Sequence, residues 1–93
     1  MKLNNNSYVH LKIRKLCQLL AYETNMQLAT DLDKEFKKLR FVNSLSYIYI
    51  DYDKNLCFAM MHKITKQEQI IIEDLMVHLR WLEIGKRYKT RHK

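Results

Sequence analysis

Proline is missing from this chain, and glycine occurs once, at Gly85. No Pro/Gly-rich linker or low-complexity stretch divides the 93 residues, so a single domain is expected over residues 1–93. No run reaches the roughly 18 apolar residues needed to span a bilayer, which argues against a membrane helix. The opening Met1-Lys2-Leu3-Asn4-Asn5-Asn6 lacks the apolar stretch of a secretory signal. Cysteine is sparse. Cys17 and Cys57 have no Cys-x-x-Cys partner, and the four histidines show no ligand spacing with them or with one another. Both cysteines sit among apolar residues and are expected to be buried free thiols, which suits a reducing, cytoplasmic setting. No cofactor or metal signature is present, and the chain is not expected to be an enzyme.

What is present is positive charge. Seventeen Lys and Arg against ten Asp and Glu leave a net charge of +7. That balance favours acidic partners, with nucleic acid first and an acidic protein surface next. Abundant Asn, Lys, Ile and Tyr beside a single glycine suggest AT-rich coding, as in phages and other mobile elements. A chain of this length buries only about 60–65% of its unfolded surface, so association would widen its stability margin.

Periodicity divides the chain into elements. Residues 1–6 are polar and are expected to fray. Val9, Ile13, Leu16, Cys17 and Leu20 share one face of a first helix running from Tyr8 to Glu23. Leu28, Leu32, Phe36 and Leu39 share a face rotated by about a third of a turn, which predicts a second helix ending near Arg40. Thr24 and Gln27 fit a capping box at its start. Leu45 to Asp51 alternates in aromatic and β-branched residues, Asp51 to Asn55 is turn chemistry, and Leu56 to His62 returns, which predicts a β-hairpin. Thr65 and Glu68 form a second capping box, followed by a helix over residues 66–88 with Gly85 as the natural terminator. The expected fold is therefore α+β, in the order α-α-β-β-α: two N-terminal helices, a hairpin and a long C-terminal helix.

That last helix carries two apolar stripes. Ile71, Ile72, Leu75, Met76, Leu79 and Leu82 form a broad one, suited to the core. Ile70, Val77, Trp81, Ile84 and Tyr88 form a narrower one roughly opposite, with polar residues on both sides. A second stripe needs a second cover, and a homodimer or a docked host protein is expected there. Just beyond lies a basic tail, residues 86–93, with Lys86, Arg87, Lys89, Arg91 and Lys93. It can neutralise phosphates without reading sequence. Lys34, Lys38 and Arg40 of the second helix are the other expected phosphate contacts.

Several further patterns have simpler explanations. Leu20-Ala21, a turn centred on Asn25, and then Met26 partly resemble the helix-turn-helix of winged-helix regulators. That resemblance implies a hairpin wing and a dimerisation arm. It departs from the motif at Asp31, where an apolar residue is expected, and in lacking a preceding helix. Tyr47, Tyr49, Tyr52 and Phe58 resemble the aromatic surface of a single-strand binder, but core or partner packing is the preferred assignment. Asp51, Asp53, Glu73 and Asp74 could serve a metal-dependent nuclease, but turn formation and surface polarity explain them. The expected function is a small, basic, dimeric regulatory protein that binds nucleic acid mainly through phosphates. The alternative is a protein-binding adaptor or inhibitor that docks a host protein through the C-terminal helix.

Overall fold

The computed structural model describes the backbone of residues 5–91 and the side chains of residues 7–84. It is an α+β domain in which two helices flank four antiparallel strands in sequence. These are α1 (Asn5–Thr24), β1 (Gln27–Leu28), β2 (Lys38–Val42), β3 (Tyr47–Asp51), β4 (Leu56–Met60) and α2 (Lys66–Arg91). The sheet is a simple meander of order β1-β2-β3-β4. The first helix begins at Asn5, so two of the residues expected to fray are helical.

The expected second helix is not formed. Thr24-Asn25-Met26 closes α1 instead of opening a new helix. Asn25 takes a left-handed φ of 58°. The Met26 N–H then donates to the Ala21 carbonyl at 3.0 Å and the Asn25 N–H to the Tyr22 carbonyl at 3.3 Å. This is the Schellman arrangement, which satisfies the last carbonyls of a helix. The Thr24 hydroxyl turns back to donate to the Leu20 carbonyl at 2.7 Å. With it goes the helix-turn-helix resemblance, because a strand follows the turn.

Residues 29–37 form a connector held by its own side chains. The Asp31 carboxylate accepts the Asp33 N–H at 3.0 Å, and the Glu35 carboxylate accepts the Lys37 N–H at 3.0 Å. Thr30 closes the outer side of β2 where β1 has already ended. Its hydroxyl donates to the Lys38 carbonyl at 3.1 Å and accepts the Arg40 N–H at 2.8 Å. The hairpin is formed as β3 and β4, with a tight turn in which Asn55 has a φ of 56°.

Both helices cover the same face of the sheet. Leu39 and Phe41 of β2 and Ile48 and Ile50 of β3 are wholly buried there. They meet Ile13, Leu16 and Leu20 of α1 and Ile72, Leu75, Leu79 and Leu82 of α2 in one core. The connector adds Leu32 and Phe36, which therefore reach the core without being helical. Three connector residues make polar ties to the helices and to the β3–β4 turn. The His10 ring donates to the Leu32 carbonyl at 3.3 Å, Arg14 pairs with Asp33, and the Lys37 ammonium lies 3.6 Å from both Asp53 and Glu83.

The capping box of α2 forms as expected. The Glu68 N–H donates to the Thr65 hydroxyl at 3.1 Å, and the Glu68 carboxylate accepts the Thr65 N–H at 3.0 Å. The helix does not stop at Gly85 but continues to Arg91, so most of the expected tail has a helical backbone. Cys17 is buried and Cys57 is exposed, and both are free, so the expectation of two buried thiols holds for Cys17 alone. No described helix is long and apolar enough to cross a membrane.

Candidate nucleic-acid interface

Alternation along β2 decides where its charge goes. In Lys38-Leu39-Arg40-Phe41-Val42 the second and fourth residues enter the core, so Lys38, Arg40 and Val42 take the opposite face. The same alternation puts Tyr47 and Tyr49 of β3 and Phe58 and Met60 of β4 beside them. Strand register sets these residues in rows. Arg40 pairs with Tyr49, which pairs with Phe58; Val42 pairs with Tyr47, which pairs with Met60. No described helix covers this side: Phe58 is 54% exposed and Met60 55%. The two rows and the Asn43–Ser46 turn, with Leu45 at its tip, border a shallow concavity of about 640 Å³.

The electrostatics of this face are one-sided. Lys38 and Arg40 are exposed, and neither forms an ion pair with a carboxylate among the described residues, although Asp51 is the cross-strand neighbour of Lys38. Asp51 shares their alternation but is only 2% exposed. Its carboxylate accepts the Tyr49 hydroxyl at 3.3 Å and the Lys54 N–H at 3.2 Å, which partly satisfies its charge and braces the turn. The open face therefore presents two cations and no exposed acid.

This arrangement corrects the sequence-based grouping of the cations. A helix would have put Lys34 and Lys38 one turn apart on a common face. Lys34 instead lies exposed in the connector, and Lys38 joins Arg40 through strand alternation. Tyr47, Tyr49 and Phe58, assigned from sequence to packing, lie on the open face. The signal that could have found them is the period of two in residues 38–42, which makes a partner for β3 and leaves one sheet face for the core. The side chains of Lys86, Arg87, Lys89, Arg91 and Lys93 lie outside the described residues, as does that of Tyr88.

On the opposite side of the molecule α2 shows its second stripe. Ile70, Val77, Trp81 and Ile84 are 63%, 44%, 52% and 52% exposed, while Ile71, Ile72, Leu75, Leu79 and Leu82 are buried and Met76 is partly so. Trp81 is held by His78, whose ring meets it edge-on at 5.1 Å. His78 is itself buried, with Nδ1 at 2.9 Å from the Asp74 carbonyl and 3.2 Å from its carboxylate. Both neighbours are acceptors, so Nδ1 carries the hydrogen.

Three titratable groups are shifted from their ordinary values. Burial pushes the Cys17 thiol up to about 12, against a smaller downward pull from Arg14. Partial desolvation raises the Cys57 thiol as well, although the residue as a whole is exposed. For Glu68, burial acts upward, but hydrogen bonds from the Thr65 backbone and the His62 ring, with the His62 charge and the Thr65 hydroxyl, outweigh it and lower the pKa. Asp53 pairs with Lys37, and Glu73 accepts from Gln69 at 3.3 Å. Among the described residues no three His, Cys, Asp or Glu side chains gather to hold a metal. Compared with protein-family models, curated proteins and solved structures, the chain matches none.

Proposed function

We propose that this chain is a small, basic regulatory protein of the cytoplasm that binds nucleic acid mainly through phosphate contacts and works as a dimer. The observation that carries the reading is the open sheet face, where Lys38 and Arg40 are exposed, unpaired with carboxylates among the described residues, and accompanied by no exposed acid. Phosphates gain from such a surface by releasing their counterions. Lys34 and the cations at 86, 87, 89, 91 and 93 add to the net positive charge of the chain. The test is fluorescence anisotropy with labelled oligonucleotides across a salt series. Lys38→Gln with Arg40→Gln is expected to weaken binding and to reduce the salt slope by roughly 1.4–1.8, about 0.7–0.9 for each lost phosphate contact. Absence of binding at low salt refutes the reading.

A second reading is favoured by a separate observation. The exposed stripe of Ile70, Val77, Trp81 and Ile84 points away from the core and has its largest member braced by His78. Such a stripe suits a dimer seam, or a protein-binding adaptor that docks a host protein. Light scattering on Trp81→Ala separates the two. Conversion of a dimer to a folded monomer supports the seam. A monomeric wild type that loses a co-purifying protein on the same substitution supports the adaptor.

A further inference from the structure

We infer that the open sheet face takes a single strand of nucleic acid, with bases stacked on Tyr49 and Phe58 and phosphates held by Arg40 and Lys38. The inference rests on the nucleic-acid reading above and specifies its ligand class.

Three observations select a single strand over a duplex. The first is the row Arg40–Tyr49–Phe58, in which cation and rings lie on neighbouring strands. Adjacent strands are about 4.8 Å apart, so the row sets two rings side by side and a guanidinium within about 10 Å of the farther one. The second is access. A base offers its flat face to a ring only when it is unstacked, which a single strand permits and a duplex does not. Phe58 is more than half exposed, so its ring has a free surface to offer. The third is shape. A duplex major groove about 12 Å wide admits a helix or a two-stranded ribbon. Where β1 lies beside Val42 and Phe41 the sheet is four strands wide, roughly 14 Å between outer backbones, too broad to enter it.

Charge argues against an apolar protein segment as the occupant. The centre of the face carries Arg40, and among the described residues the one carboxylate at that alternation, Asp51, is buried and bonded. The Asn43–Ser46 turn bounds the concavity at one end, and the Asn43 carboxamide braces it by accepting the Leu45 and Ser46 N–H groups at 2.9 and 2.8 Å. Leu45 stands at its tip, 76% exposed, where it can pack against a sugar or base edge.

The probes are a fluorescein-labelled 20-nucleotide oligo-dT, the matching oligo-U, and a 20-base-pair duplex, titrated with the full chain at low and moderate salt. The single strands are expected to bind at least tenfold more tightly than the duplex. Tyr49→Leu and Phe58→Leu keep apolar bulk but remove the ring, and each is expected to weaken single-strand binding by roughly 5- to 100-fold. Duplex binding should not change. A circular-dichroism melt checks the fold of each variant, and cross-linking of a 4-thiouridine strand to the wild-type chain, mapped by mass spectrometry, tests the same contact without substitution. If duplex binds as well as single strand and the ring variants alter neither, the single-strand inference is overturned while the phosphate reading stands. If neither probe binds at low salt, both fall. If the ring variants leave binding unchanged but halve the molecular mass in light scattering, the face joins copies of this chain and the inference is overturned.

Discussion

Replacing Glu68 by alanine tests the start of α2 most directly. The Glu68 side chain is 5% exposed, and its Oε1 lies 3.0 Å from both the His62 ring and the Thr65 N–H. A hydrogen bond to a charged group contributes about 1.5–3 kcal/mol, and a lost cap typically costs about 1 kcal/mol. Thr65 is exposed, so water can replace the carboxylate at its N–H, and the His62 contact sets most of the loss. The expected destabilisation is therefore about 2 kcal/mol, against a total of roughly 5–14 kcal/mol for a chain of this size. The melting temperature should fall by roughly 8–16 °C. Thr65→Ala alone should cost about 1 kcal/mol, and the double variant should lose less than the sum, because each change already breaks the shared pair.

The same carboxylate sets a pH dependence. Its pKa is lowered in the folded state, so its contribution is fully present above the ordinary glutamate range and is lost as pH falls through the folded value. Glu68→Gln should flatten the stability curve from the range where an unperturbed glutamate near 4.3 begins to protonate down through the lowered folded value. Urea denaturation followed by circular dichroism measures both effects. A loss below about 0.5 kcal/mol for Glu68→Ala, or parallel pH curves for wild type and Glu68→Gln, refutes the reasoning.

Other outcomes follow from single residues. Met61 holds a φ of 56°, which strains a side chain with a Cβ, so Met61→Gly should stabilise the chain by about 0.5–1 kcal/mol in a urea titration. Asn25 has a similar φ of 58° at the end of α1, so Asn25→Ala should cost about 1 kcal/mol and Asn25→Gly nearly nothing. Iodoacetamide on the native protein should label exposed Cys57 and spare Cys17, whose thiol is buried and raised to about 12; mass spectrometry should find Cys17 modified only after unfolding. Phe41→Ala removes a ring with no exposed surface and should cost about 3–5 kcal/mol by thermal melt.

The elements that local chemistry dictates were legible in the sequence. Thr65 and Glu68 recognise each other three residues apart, and residues 47–51 alternate over their whole length, so α2 and the hairpin needed no distant partner. Residues 24–40 failed for a physical reason. Leu28, Leu32, Phe36 and Leu39 are spaced like a helix face, yet Leu39 and Phe41 also alternate, and pairing with β3 is a long-range event that propensity does not weigh. Thr24 with Gln27 has the form of a start signal, but a left-handed Asn25 makes it a stop. The site suffered from the same gap. Lys38 and Arg40 were found as cations on the wrong scaffold. Tyr49 and Phe58 were assigned to packing because nothing local reveals which sheet face the helices cover.

The two edges of the sheet differ in a way that bears on handling the protein. At one edge the Thr30 hydroxyl bridges the backbone of β2, so a foreign strand finds the Lys38 carbonyl and Arg40 amide already engaged. At the other, β4 runs Leu56-Cys57-Phe58-Ala59-Met60 without a single charge, and no described strand lies beyond it. Uncharged open edges template pairing with further copies, and soluble proteins commonly guard them with lysine. Concentrated stocks should therefore precipitate by edge-to-edge growth along β4, at a rate that rises with concentration and with any loss of net charge. Cys57→Lys supplies the missing gatekeeper and should lower turbidity in storage while leaving the core intact.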